Sequence, residues 1–187
     1  DMLTISAHKC GGALGAAALI IKNNLSIKPL LTGGGQELGR RAGTENIAAI
    51  TAFAATVEAI NFEQMQNLRM WLDDMEKQMQ AAGGIIFGGD VPRLPNTSCV
   101  AMPYVGNEIQ LIDFDLNGYA VSAGSACSSG RIEKSHVLLA MGASPELASC
   151  AIRVSVGWNT TEDEIKKFTQ SWLKLATRLT QSKDSSV

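Results

Sequence analysis

Ser122-Ala123-Gly124-Ser125-Ala126-Cys127-Ser128-Ser129-Gly130 holds one thiol among serine, alanine and glycine. No side chain in it is large enough to pack a core, so it reads as a mobile, solvated loop. Composition alone makes it a flexible linker that happens to carry a cysteine. A thiol on such a loop is also unshielded, and it reacts once its pKa is lowered or a target is placed beside it. The flanking sequence sets the fold. Ala120-Val121 leads in as a brief strand, and Ser135 to Met141 leads out as a short helix stopped by Gly142. Farther upstream, Thr97 to Met102 reads as a strand. Asn107 to Asn117 reads as a helix with Ile109, Ile112 and Leu116 inward and Asn107 as a candidate cap. Downstream, Ser144-Pro145-Glu146 opens a helix with a serine cap, a proline in the first turn and an acid at the positive dipole end. Ala151 to Val156 is a strand carrying Arg153 between apolar neighbours. Thr161-x-x-Glu164 is a capping box before a last helix, where Ile165, Phe168, Trp172, Leu175 and Leu179 alternate three and four apart. Short strands alternating with helices predict an α+β domain.

Earlier in the chain, Ile85 to Phe87 is a short strand followed by a proline-containing loop. A helical region begins at Glu45. Ile47, Ile50, Ala54 and Val57 form one stripe, and Met65, Leu68, Leu72, Met75 and Met79 continue it after a loss of phase near Asn61, which predicts one long helix bent there. Ala82-Gly83-Gly84 ends it. Ala13 to Ile21 is an apolar run suited to a buried strand, with Leu25 to Leu31 as the second strand of a hairpin, limited by Pro29. Thr32 to Thr44 is rich in glycine and arginine, either a surface connection or a backbone able to approach a phosphate closely. Met2, Leu3 and Ile5 suggest the end of a buried strand, after which Ser6, His8 and Lys9 fall on a turn before Gly11-Gly12. Taken alone, Lys9 is a solvated charge and His8 a hydrogen-bonded turn histidine. A lysine fixed between an apolar strand and two glycines is also a plausible Schiff-base residue, because imine formation needs a held, partly desolvated amine. His136 reads as a helix-surface histidine.

At 187 residues the chain has room for one large or two small domains, and 45% hydrophobic against 18% charged residues is ordinary for a folded protein. A net charge of −2 offers no basic patch for nucleic acid or a membrane surface. The longest apolar run is too short to span a bilayer. Cysteines 10, 99, 127 and 150 form no Cys-x-x-Cys pair and lack paired histidines, so a metal site is not expected. Cys99 and Cys150 read as small core residues. No basic segment followed by a long apolar one opens the chain, which gives the expectation of a cytoplasmic protein with reduced thiols. The chain starts at Asp1 and enters at once what reads as an interior strand, so an upstream half is expected to be missing.

Four motifs stand in order from Ser6 to about Ile165: Ser6-Ala7-His8-Lys9, Gly33-Gly34-Gly35-Gln36-Glu37-Leu38-Gly39-Arg40-Arg41-Ala42-Gly43-Thr44, Gly124-Ser125-Ala126-Cys127 and Ile152-Arg153-Val154-Ser155-Val156-Gly157. Together they resemble the cysteine desulfurases, enzymes of the class V aminotransferase group that use pyridoxal 5'-phosphate (PLP). The resemblance implies an α/β chain, the C-terminal part of a fold-type I PLP-dependent transferase. Residues 1–50 would be the end of the large PLP-binding domain and its sheet, and 51–187 a complete α+β small domain. It implies that Lys9 holds PLP and shuttles protons, that Ser6 and His8 bind its phosphate, and that Thr44 reaches the phosphate of the partner subunit in a homodimer. Arg153 would clamp the substrate carboxylate. Cys127 would take the sulfur of L-cysteine as a persulfide, leaving alanine, and pass it to a sulfur acceptor or iron–sulfur scaffold protein, for cluster assembly or tRNA thiolation. The loop running on to about Lys134 resembles the longer-loop class. The same motifs could serve a selenocysteine lyase, and a different class of reading is a non-catalytic docking module. The family places a ring-stacking group, an aspartate for the pyridine nitrogen and a glutamine before the lysine, where this sequence has no room. The chain by itself is therefore expected to hold PLP weakly or not at all, and its full-length parent to be active.

Overall fold

Met2–Ser6 run extended as β1 and pair antiparallel with Ala17–Ile21, β2, from Met2 opposite Ile21 to Ser6 opposite Ala17. The computed structural model describes residues 1–23, 25–124 and 134–184. These fall into two compact units, Asp1–Asn61 and Phe62–Val187.

In the first unit, β2 takes its partner from upstream. The hairpin expected between 13–21 and 25–31 does not form, and no strand lies among the described residues of 25–31. Pro29 lacks an amide to give a ladder, while the amide of Ala7 extends the β1–β2 pairing by donating to Ala16 at 3.1 Å. The strands are not buried as expected: Met2, Leu3, Leu19 and Ile20 are exposed, since a two-stranded ribbon has no second layer of its own. The first helix, α1 (Ile47–Glu58), is capped by Asn46, whose side chain accepts from the Ala49 amide at 3.2 Å. Its expected inward stripe is open, with Ile47, Ile50 and Val57 exposed and Ala49 buried instead. The single bent helix of the sequence reading is two helices, for α1 stops at Glu58 and α2 runs Phe62–Ala81. A division at residue 50 would fall inside α1.

The second unit is built on an antiparallel sheet of order β3 (Ile85–Ile86), β4 (Thr97–Ala101), β5 (Ala151–Ser155). Alternate residues of a strand face opposite sides. Val100, Ile152 and Val154 face α2 and the last helix, α6 (Glu162–Asp184), and join Leu72, Met75, Met79, Phe168, Trp172 and Leu175 in the main core. Burying each such side chain stabilises by about 1.5–3 kcal/mol. Both predicted stripes face inward: Leu68, Leu72, Met75 and Met79 on α2 and Ile165, Phe168, Trp172 and Leu175 on α6 are buried, while Met65 and Leu179 are half-buried. Gly84 lets the chain turn beneath Trp172, as a Cβ there would lie 3.0 Å from the indole and 2.8 Å from the Met79 carbonyl oxygen. On the other face Ala101, Leu138, Ala148, Cys150 and Ala151 form a smaller cluster. It is roofed by α4 (His136–Ala140) and α5 (Pro145–Ala148), which begin at serine caps Ser135 and Ser144.

Helix α3 (Asn107–Leu116) presents the opposite face from the one expected. Ile109, Ile112 and Leu116 are exposed, at 53%, 62% and 81%, whereas Asn107, Gln110 and Phe114 are buried. Phe114 meets the Phe168 ring at 5.1 Å between centroids, and Gln110 Nε2 donates to the carbonyls of Val105 (2.9 Å) and Cys150 (2.7 Å). Gln110 thereby gives the Val105 carbonyl a donor and adds a second one to the Cys150 carbonyl, which also accepts from the Met102 amide at 3.2 Å, so an amide rather than an isoleucine takes the inner face. Nor is Asn107 the cap; Gly106 holds that position without a side-chain bond.

Candidate active site

The end of β1 delivers a one-turn 3-10 helix, Ala7–Cys10, closed by Gly11 at φ 86°. Ala7 is wholly buried and anchors the turn, and its carbonyl accepts from the Gly12 amide at 2.9 Å. Gly12 passes so close to α1 that a Cβ would stand 2.6 Å from Thr56 Oγ1, so a larger residue would displace the turn. On this fixed backbone Ser6 is half-buried, and His8 and Lys9 are exposed. Within this chain the Lys9 amine is therefore not the partly desolvated group that the sequence reading called for. The glycine- and arginine-rich segment closes on itself: Ala42 donates to the Leu31 carbonyl at 3.0 Å, and the Gly43 amide donates to Gln36 Oε1 at 3.3 Å. Glu37, Leu38 and Gly39 there are left-handed, at φ 49°, 57° and 74°. Thr44 follows, exposed, and no hydrogen bond among the described residues joins it to Ser6, His8 or Lys9.

Arg153 lies in the other unit, on β5, with its side chain on the face away from α2 and α6. Its amide donates to the Ser122 carbonyl at 2.6 Å and its carbonyl accepts from the Ser122 amide at 3.1 Å. The brief strand expected at Ala120-Val121 is this single bridge one residue later. Among the described residues Arg153 has no ion pair, whereas Arg69 faces Asp73 and Glu76, Arg93 faces Glu76, and Arg178 faces Asp113. Opposite it on β4 stands Cys99, which the sequence places in the core. It is half-buried, and burial pushes its thiol pKa up against the smaller downward pull of Arg153 and Arg93. Strand alternation signals that Cys99 faces away from Val100; which face that is needed the sheet. Cys127 lies within 125–133, outside the described residues.

The class-V aminotransferase family model matches residues 1–168. The chain belongs to the class-V aminotransferase family. Within it, this chain is 38% identical over 183 residues to cysteine desulfurase 2 of Trichormus variabilis, covering 96% of this chain and 46% of that protein. It is 39% identical to the cysteine desulfurase IscS of Dictyoglomus turgidum, over 88% of this chain and 43% of that one. The NifS-like protein of Rickettsia africae superposes with a TM-score of 0.78 at 36% identity, over 93% of this chain and 47% of the other. This class-V chain thus spans under half the length of the relatives it matches, and its mixed helix and strand architecture is part of the fold-type I arrangement. An exposed primary amine, Lys9, following the His8 imidazole on the Ala7–Cys10 turn and the Ser6 hydroxyl at the end of β1, suits by its chemistry the aldehyde and phosphate end of the PLP that this family uses.

Proposed function

We propose that the polypeptide containing this chain is a PLP-dependent cysteine desulfurase acting in the cytoplasm as a homodimer. The first fifty residues belong to its large domain and the small domain follows. Lys9 Nζ anchors the cofactor and moves the proton between the substrate's α and neighbouring carbons; Ser6 and His8 hold the phosphate, joined by the partner's copy of Thr44. When bound, PLP supplies the electron sink that makes the substrate's α-proton labile. The fork of Arg153 orients L-cysteine by its carboxylate. Cys127 attacks the substrate sulfur: the carbon–sulfur bond breaks, a sulfur–sulfur bond forms, and a proton on carbon completes alanine. The persulfide then passes to an acceptor, an iron–sulfur scaffold or a tRNA-thiolating protein.

Arg153 is the observation that carries this reading, since an arginine with no carboxylate partner among the described residues, on a packed strand, suits a substrate carboxylate. The test uses sulfur-labelled cysteine with the full enzyme. Label is expected on the Cys127 peptide, with no alanine formed by Cys127→Ser. Alanine formation that survives this change overturns the reading.

A further inference from the structure

Strand β4 and the single bridge residue Ser122 flank Arg153. On one side Ser122 takes both of its backbone hydrogen bonds, so toward β4 Arg153 offers neither amide nor carbonyl. Its partner on β4, Cys99, turns its own carbonyl away to the Phe87 amide at 2.9 Å. Cys99 and Arg153 are therefore a non-hydrogen-bonded antiparallel pair, the kind whose Cα atoms approach to about 4.5 Å and whose side chains lie closest. Directly opposed residues share a face, which sets Cys99, Arg153 and Ser122 in one row on the side away from α2 and α6. Arg153 is the only charge in that row. Cys99 packs at the rim of the cluster around Leu138 and Cys150, and burial favours its neutral thiol. The other described arginines of the unit each meet a carboxylate, and this one meets two small uncharged neighbours.

We propose that Cys99 is a specificity-determining residue: a small, uncharged side chain directly across from Arg153 keeps the guanidinium open to an incoming α-carboxylate, and so selects an amino acid over an amine that lacks one. This rests on the reading of Arg153 as the carboxylate clamp. An acid at position 99 would form a cross-strand ion pair and occupy the fork. The thiol contributes its size and neutrality rather than its nucleophilicity, so serine serves equally well.

The test compares Cys99→Ser, Cys99→Asn and Cys99→Asp in the PLP-loaded enzyme, with L-cysteine and with cysteamine, which has the same thiol and amine but no carboxylate. Ser and Asn leave the KM for L-cysteine within about twofold, while Asp raises it about fivefold or more with kcat held, and the preference over cysteamine falls by the same factor. Independently of activity, phenylglyoxal modifies Arg153 more slowly in Cys99→Asp than in Cys99→Asn, read by peptide mass. Equal behaviour of Asn and Asp means packing rather than charge and overturns the proposal. So does an unchanged preference in Cys99→Asp when Arg153→Gln abolishes it. If Arg153→Gln itself leaves the preference intact, the clamp reading has failed and the proposal falls with it.

Discussion

Ser122 and Arg153 hydrogen-bond each other twice through their backbones, at 3.1 and 2.6 Å, so the segment entering the Cys127 motif is tied to the strand that carries Arg153. The tie does not involve the guanidinium. Arg153→Gln should therefore leave thermal stability unchanged while raising the KM for L-cysteine about 10- to 100-fold in the full enzyme, the loss of a charged hydrogen bond worth roughly 1.5–3 kcal/mol. Arg153→Lys restores only part of it, because an ammonium cannot grip a carboxylate with a planar fork. Steady-state kinetics beside a melting curve checks both; an unaltered KM removes Arg153 from substrate binding.

The orientation of α3 can be tested in the isolated chain. Ile112→Gln, on the exposed side, should shift unfolding free energy by no more than about 0.5 kcal/mol. Phe114→Ala, which removes a fully buried ring from against Phe168, should cost about 3–5 kcal/mol. Urea titrations of the two variants decide it, and the reverse ranking would mean that the helix is turned the other way.

Glu76 is buried and bridges Arg69 at 3.1 Å and Arg93 at 2.5 Å, and Arg93 also donates to the Thr97 carbonyl at 3.0 Å. The cluster fastens the loop before β4 to α2. Glu76→Ala leaves two guanidiniums without their shared carboxylate and should destabilise by about 3–5 kcal/mol. Replacing Arg93 by Met in the same chain should recover part of that loss, measured as a double-mutant cycle.

Asp73 takes a hydrogen bond from Arg69, which holds its carboxyl pKa below the ordinary value of 3.8. A folded-state pKa below the unfolded one means stability that is present above pH 3.8 and lost as pH falls through the folded value. Asp73→Asn should therefore be the less stable chain near neutrality and should converge on the wild type below pH 3.8. The gap is small, because the Asp73 side chain is 48% exposed and solvent screens the pair. Acid titration of unfolding, followed by circular dichroism, reads the convergence; a gap that widens toward acid refutes it.

Sequence alone determined what is settled within a turn or two of chain. The buried stripes of α2 and α6 follow from the helical period. The caps at Ser144 and Thr161 follow from a side-chain oxygen within reach of its own amides, as the Thr161–Glu164 box shows at 2.7 and 3.3 Å. The order of the four motifs was likewise legible without coordinates. Tertiary structure decided the rest. In α3, Ile109-Ile112-Leu116 and Asn107-Gln110-Phe114 have the same spacing, so periodicity cannot choose between them. The choice fell to the Phe168 ring and the Cys150 carbonyl, both far away in sequence, together with the Val105 carbonyl that the same amide reaches. Strand β2 was legible as a strand but not as the partner of β1, and Cys99 was legible as a strand residue but not as the neighbour of Arg153. Register is a contact between distant segments, and no local hydrogen bond or hydrophobic period encodes which one a strand will meet.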